Sequence, residues 1–389
     1  MERLEMALAY GADAVYLAGQ RFGMRASAGN FSADELSRAV ALAHQMGKKV
    51  YVTCNTLPRE DELKELPPFL EQLREQKVDA LIVADLGVIA LAKKYAPELA
   101  LHVSTQLGVV NSAAAQALWD MGASRVVLAR ELSMDEIAGL RAHVSPELEI
   151  EAFVHGAMCV SFSGRCLLSN YLTGRDANRG ACAQPCRWKY KLIEEKRPGE
   201  AFEISEDGGT YILNSRDMCM IEYIPQLMAA GVNSLKIEGR MKSAYYAAAV
   251  TGAYRHAVDA ACAGRPLPEV WRREVDKVSH RSYSTGFYFG MPGQHYGDSM
   301  YFSDAEVCAV VEGPGENGLW RLTQRNKFSR GEQLELLTPG EEPVAFTADE
   351  IFNAEGKQIE SAPHPMMELL MPLPGKTVRL SILRKIKQN

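Results

Sequence analysis

From the first residue to about 265, the chain alternates short β-branched runs with amphipathic helical patterns, and few folds accommodate that rhythm. The runs DAVYL, KKVYVTCN, DALIVAD, LALHVST, SRVVLAR, LEIEAFVHG and SLKIEG read as seven strands. Strict alternation of strand and helix makes a parallel sheet, because a crossover helix must carry the chain back before each new strand can run the same way. Between the strands lie helices such as SADELSRAVALAHQMG, with Ser32 placed to cap its N-terminus and Gly47 to stop it. The expected class is α/β: a TIM-like (β/α) barrel over residues 1–280, whose last helix, SAYYAAAVTGAYRHAVDAACAG, completes the outer ring. Met1 opens directly on a helix, so the barrel is expected to lack its first strand.

Alternate residues of a strand share a face. Tyr51, Thr53 and Asn55 fall on one side of their strand, as do His102, Ser104 and Gln106, then Glu151, Phe153 and His155, then Lys236, Glu238 and Arg240. The other faces are apolar, with Val50 and Val52, Leu101 and Val103, Ile150 and Val154, Leu235 and Ile237, and these should pack under the helices. The polar stripes would point inward near the C-terminal ends of the strands, where barrel enzymes build their sites. For any one member, such as His102, a satisfied buried side chain is the ordinary role. Four stripes converging on one end point to a site, with Glu238 and His155 as candidate catalytic residues.

A cysteine-rich insertion over residues 156–220 interrupts the rhythm, and in it WKYKLIEE and TYILNS read as a β-hairpin around an EDGG turn. Beyond Arg281 the punctuation changes to Gly and Pro (MPGQHYG, EGPGENG, TPGEE) between short alternating strands such as WRLTQ, EQLELL and VRLSIL. That pattern predicts a small β-barrel or sandwich as a C-terminal domain, residues 290–389.

Five of the eight cysteines, Cys159, Cys166, Cys182, Cys186 and Cys219, fall in the insertion, while Cys54, Cys262 and Cys308 lie elsewhere. Disulfide frameworks belong to short secreted chains, and 389 residues can bury a large core without one. The opening MERLEMALAYGADAVYL has no signal-peptide apolar core, and no apolar run approaches the roughly 18 residues a membrane span needs. A soluble protein of the reducing cytoplasm is expected, and clustered thiols there bind a metal or a cluster. Structural zinc prefers two close pairs, whereas only Cys182 and Cys186 are close, so the spacing leans toward an iron–sulfur cluster and leaves zinc and free thiols open. A nucleophilic thiolate formed by His155 and Cys159 is the peptidase reading, but no residue nearby supplies a clear third member. The chain has no HExxH, GxSxG, GxGxxG or P-loop motif.

A net charge of −6 argues against indiscriminate coating of nucleic acid. Locally the balance reverses: from His155 to Lys191 stand Arg165, Arg175, Arg179, Arg187, Lys189 and Lys191 against one acid, Asp176. Such a patch can select a polyanion, and it can equally be a solvated loop. If the partner is RNA, the loop from Arg175 to Lys191 would hold its backbone, and Tyr171 or Trp188 could stack a splayed base.

Glu151, Phe153, Gly156, Ala157, Met158, Cys159, Gly164, Cys166, Leu168 and Ser169 match, position for position, the signature of the collagenase-like peptidase family of unknown catalytic type. GADAVYLAG, ALIVADLGV, VVLAREL, NSRDMCMIEYIPQL and SLKIEGRMKSAYY extend the resemblance over essentially the whole chain. Members of that family, first named proteases, include iron–sulfur hydroxylation proteins that act on tRNA, on ribosomal RNA or on a quinone precursor. The long form with GRCLLS, CRWKY and LKIEGRMKS looks most like the prephenate-dependent enzymes that convert the wobble uridine of tRNA to 5-hydroxyuridine. The resemblance implies a cluster, expected as 4Fe–4S, held by Cys159, Cys166, Cys182 and Cys219, with Cys186 as an alternative ligand. It also implies tRNA and prephenate as partners. Prephenate is a dianion suited to forked arginines, and Arg130, Arg165 and Arg240 are its candidate anchors.

Overall fold

A computed structural model of the chain describes residues 1–25, 29–188, 190, 192–193, 201–202, 214–293 and 301–387. All seven expected strands form. Six of them, β1 (Ala14–Leu17), β2 (Lys49–Cys54), β3 (Ala80–Val83), β4 (Ala100–Val103), β5 (Ala123–Val127) and β6 (Glu149–Ala157), pair in chain order, every pair parallel. A short antiparallel hairpin follows, β7 (Leu192–Ile193) with β8 (Ala201–Phe202). Next come β9 (Asp217–Cys219), antiparallel to the end of β6, and β10 (Ser234–Ile237), the seventh expected strand, parallel to β6. Finally β11 (Tyr283–Ser284) runs parallel to β9. Of the expected hairpin, Leu192–Ile193 is described and pairs with Ala201–Phe202; residues 203–213, which hold the EDGG turn and most of TYILNS, lie outside the described residues.

Helices between the strands begin where the sequence places caps. Ser32 accepts the Glu35 amide while Glu35 returns a bond to the Ser32 amide, and Ser133 and Glu136 repeat this reciprocal box. Each satisfies two amides that the first turn of a helix leaves without partners. On the sheet, Tyr51, Ala80 and Ile82 form one buried cluster with Ala14, Tyr16 and Ala100, while Val50, Val52, Leu81, Val83, Leu101 and Val103 are buried on the other face. Burial on both faces is the mark of a parallel sheet covered by helices. Among the described residues no ladder joins β1 to β10. The sheet nevertheless curls until these strands face each other, because the Tyr16 hydroxyl donates to Glu238 at 2.9 Å and Lys236 Nζ stands 4.6 Å from the centre of the Tyr16 ring.

The chain divides into two compact units. One, Asp13–Met241 with Arg281–Tyr301, holds the whole parallel sheet. The other gathers Met1–Ala12, Lys242–His280 and Phe302–Asn389. Its antiparallel sheet is seven-stranded and runs from Ala305–Pro314 to Ile382–Ile386 in the chain, around a core of Cys308, Val311, Leu322, Phe328, Leu336, Ile351 and Leu383. In this unit the helix Ala244–Cys262 carries Gly252, where an added Cβ would stand 3.3 Å from the Tyr10 ring, and the Tyr10 hydroxyl donates to the carbonyls of Leu337 and Leu380. Among the described residues, no helix is long and apolar enough to cross a membrane.

Candidate functional site

The inward faces of β1, β2, β4, β5, β6 and β10 carry polar side chains, whereas β3 presents Ala80 and Ile82, and the polar groups sort into two levels. Deep in the sheet, Glu151 of β6 accepts from Lys236 Nζ at 2.7 Å, from the Ser234 hydroxyl at 2.8 Å and from Arg125 at 2.9 Å. Burial acts to raise this carboxyl, but Lys236 and then Arg125 outweigh it and hold it at about 2. His102 lies beside Tyr51, and burial followed by the charge of Arg125 lowers its imidazole to about 3, so it is neutral. Its Nδ1 and the Thr53 hydroxyl are buried without a hydrogen-bond partner among the described residues.

At the C-terminal level, Gly156 of β6 stands at φ +114°, where a Cβ would stand 2.4 Å from the Glu238 carbonyl oxygen. Only glycine allows β6 and the segment after β10 to approach this closely. The approach sets Glu238 over the end of the sheet. Its carboxylate accepts the Tyr16 hydroxyl at 2.9 Å, pairs with Arg25 at 3.2 Å and accepts the Arg240 amide at 3.3 Å. Burial would raise Glu238, yet Arg25, the Tyr16 hydroxyl, the Arg240 amide and the charge of Arg130 together hold it below the usual carboxylate range. Tyr16 is pushed well above its ordinary value, first by burial and then by Glu238, so it stays a protonated donor. Arg25 feels chiefly Glu238, and beyond it the thiols of Cys182 and Cys159. Arg130 lies over the Phe153 ring at 5.4 Å, and its Nε is buried without a partner among the described residues. Arg240 donates to Asn30 at 2.6 Å. Two guanidiniums, Arg25 and Arg130, thus act on one carboxylate, and the charge of Arg240 acts on the neighbouring Tyr16.

The cysteine loop is laced to the sheet by side chains from distant segments. Arg179 makes two bonds to the Glu62 carboxylate, at 2.8 and 2.9 Å. Arg187 donates to Asn214, to the Ser215 carbonyl and to the Met158 carbonyl, and Arg175 to the carbonyls of Ala181 and Cys182. Asn178 clasps Cys166 from both sides, accepting its amide and donating to its carbonyl. Cys159, Cys166 and Cys182 each accept, on sulfur, the amide two residues ahead, at 3.4, 3.3 and 3.3 Å. Burial pushes the Cys186 thiol up to about 11, with Arg187 opposing and the neighbouring Cys159, Cys182 and Cys166 adding to the rise. Cys219 sits on β9, its Cα opposite that of His155, and His155 is buried with Nε2 3.4 Å from the Tyr283 hydroxyl.

All eight cysteines are unbridged. Cysteine sulfurs, three of them with amide donors, are the donor chemistry that an iron–sulfur cluster or zinc would take. Among the described residues, no three His, Cys, Asp or Glu side chains are grouped so as to hold a metal ion.

Of the expected anchors, Arg130 and Arg240 belong to the Glu238 cluster, whereas the Arg165 side chain is exposed on the loop, and its guanidinium makes no hydrogen bond or ion pair to any described residue. The basic loop is used differently from the expectation. Arg175, Arg179 and Arg187 bind carbonyls and a carboxylate of the protein itself, and Lys189 and Lys191 lie outside the described residues. Arg25, Tyr16 and Glu62, and Glu131, whose carboxylate accepts the Ser163 amide and hydroxyl, escaped the sequence reading. Tyr16 was readable from the alternation of DAVYL, since it shares its face with Ala14, but loop residues carry no periodicity to announce them.

Over 396 aligned residues, covering 100% of this chain and 93% of the relative, the sequence is 37% identical to the tRNA hydroxylation protein P1 of Bacillus subtilis. It is 36% identical to the tRNA hydroxylation protein P of Escherichia coli, covering 96% of this chain and 92% of the relative. A 23S rRNA 5-hydroxycytidine C2501 synthase of Escherichia coli is 39% identical over 92% of this chain and 54% of its own length. The sequence pattern of the peptidase family U32 matches residues 1–298 and that of the peptidase family U32 C-terminal domain matches residues 303–384, so the chain belongs to peptidase family U32.

Proposed function

We propose that this protein is an RNA hydroxylase that converts the wobble uridine of tRNA to 5-hydroxyuridine, with prephenate as co-substrate and a 4Fe–4S cluster as its resident group. The observation that carries the reading is the relation of the whole chain, both of its sequence regions included, to proteins named for tRNA hydroxylation. A relative named for cytidine hydroxylation in ribosomal RNA keeps the same chemistry on a different acceptor. The site supports the co-substrate. Arg25 and Arg130 set two positive charges against the carboxylate of Glu238, with Arg240 alongside, and Arg130 has an Nε with no partner among the described residues to donate with.

In this reading Arg130, Arg240 and Arg25 bind and orient the dianion. Glu238, held ionised, fixes Arg25 and is unsuited to donating a proton near neutral pH. Tyr16 keeps its proton and steadies Glu238. His155 faces Tyr283 at the same end of β6. Cys159, Cys166 and Cys182, completed by Cys219 or Cys186, would hold the cluster, which supplies one-electron redox chemistry when bound. The curled sheet, with Tyr16 and Glu238 bridging its ends, supports the TIM-like barrel.

The test is genetic and chemical together. Deletion of the gene should remove 5-hydroxyuridine from tRNA, and the intact gene should restore it. Anaerobically purified protein should contain iron and acid-labile sulfide. Loss of a ribosomal hydroxycytidine instead would move the acceptor to rRNA. Unchanged RNA in the deletion strain, or zinc without sulfide in the protein, would remove the reading.

A further inference from the structure

We propose that Phe162, Arg165, Leu167 and Tyr171 form the surface on which unpaired bases of the RNA substrate stack; the proposal rests on the RNA-hydroxylase reading above. Large apolar side chains are rarely left in water in a contiguous group, and such groups mark interaction sites. Here Phe162 is 51% exposed, Leu167 55%, Tyr171 79% and Leu172 49%, all within eleven residues of the cysteine loop. They are held in place. The Phe162 ring lies against Gly108, just past β4, where an added Cβ would stand 3.3 Å from it. The Tyr171 amide bonds to the Leu167 carbonyl at 2.9 Å, which puts the two side chains on one face of the turn that opens the helix Leu168–Thr173.

Charge complementarity names the occupant. Arg175, Arg179 and Arg187 are engaged with groups of the protein, whereas Arg165, between Phe162 and Leu167 in the chain, is exposed and its guanidinium makes no hydrogen bond or ion pair with any described residue. The one acid of the stretch, Asp176, accepts the Asn178 amide. Exposed aromatic faces within a few residues of an exposed guanidinium, with no opposing carboxylate in the segment, suit splayed bases and a phosphate. A strand still paired in a duplex hides its base faces and should gain little from such a surface.

The test uses full-length, anaerobically purified protein, with binding measured by fluorescence anisotropy. The probes are a short RNA hairpin with an unpaired loop and a fully paired duplex of equal length. The wild type should prefer the hairpin. Tyr171→Ala should weaken hairpin binding roughly 5- to 150-fold with little effect on the duplex, Tyr171→Phe should retain it, and Arg165→Gln should lower the salt slope by about one. Because these side chains are exposed, iron content and melting temperature should match the wild type and so exclude misfolding. Variants that bind the hairpin like the wild type overturn the surface alone, and so do variants that instead dissociate a dimer or a co-purifying protein. A wild type that binds neither RNA overturns the hydroxylase reading and the surface with it.

Discussion

The two carboxylate oxygens of Glu131 accept both the amide and the hydroxyl of Ser163, each at 2.6 Å, and hold this buried serine at φ +45°. A non-glycine residue in that region costs on the order of 1–3 kcal/mol, so the surroundings must enforce it. Glu131 follows β5, and Ser163 lies between Cys159 and Cys166, so one side chain keys the cysteine loop to the end of the sheet.

Glu131→Ala should therefore loosen the loop rather than the fold. It leaves a buried amide and hydroxyl unpaired, a cost of about 1–3 kcal/mol. The expected outcome is fewer iron atoms per chain and faster alkylation of the loop thiols, with the main thermal transition little shifted. Wild-type iron content in the variant would show that other tethers, such as Arg179 with Glu62, suffice.

The ligand set separates on two substitutions. Cys186 has three other cysteines as electrostatic neighbours, and Cys219 stands on β9 opposite His155. If Cys219 is the fourth ligand, Cys219→Ser should lose the cluster absorbance and iron while Cys186→Ser keeps both. The reverse pattern assigns Cys186. Loss of iron in neither variant would exclude both as required ligands.

Arg25 should act on binding of the dianion. Arg25→Met removes one charge-assisted partner, typically about 1.5–3 kcal/mol, so KM for prephenate should rise by roughly ten-fold or more. It also strips Glu238 of its principal counter-charge, and the carboxyl should then titrate higher than in the wild type. Steady-state kinetics across pH would show both effects, and an unchanged KM would place the dianion elsewhere.

Acid should destabilise the protein in two overlapping windows that begin at different pH. His102 is held neutral down to about 3, so below about pH 6.5 the unfolded chain binds a proton that the folded chain refuses. Stability from this group is full above that pH and is lost as pH falls, on the order of 5 kcal/mol in total. Glu151, ionised down to about 2, adds a loss on the order of 3 kcal/mol that begins only below about pH 4.5. Urea midpoints should show His102→Gln flattening the upper window and Glu151→Gln the lower. Glu151→Gln should also be less stable at neutral pH, because Lys236 and Arg125 lose their buried partner.

Local physics made much of this legible from the amino-acid order. A period of two in KKVYVTCN or LEIEAFVHG determines both the strand and its inward residues, and a Ser with Glu three places on determines a helix start at Ser32. The clustering of cysteines also marked the loop that Arg179 and Glu131 tie to distant segments. Tertiary structure alone decided how the polar groups pair. Arg25 meets Glu238 across more than two hundred residues, Arg179 meets Glu62 across more than one hundred, and the helix Ala244–Cys262 groups with the first twelve residues and the C-terminal strands. Periodicity carries no information about such pairs, because an ion pair depends on where the folded backbone brings two charges and not on the pattern of either segment. For the same reason the arginines of the cysteine loop read as a surface for a polyanion, while the fold turned most of them onto carbonyls and a carboxylate of its own.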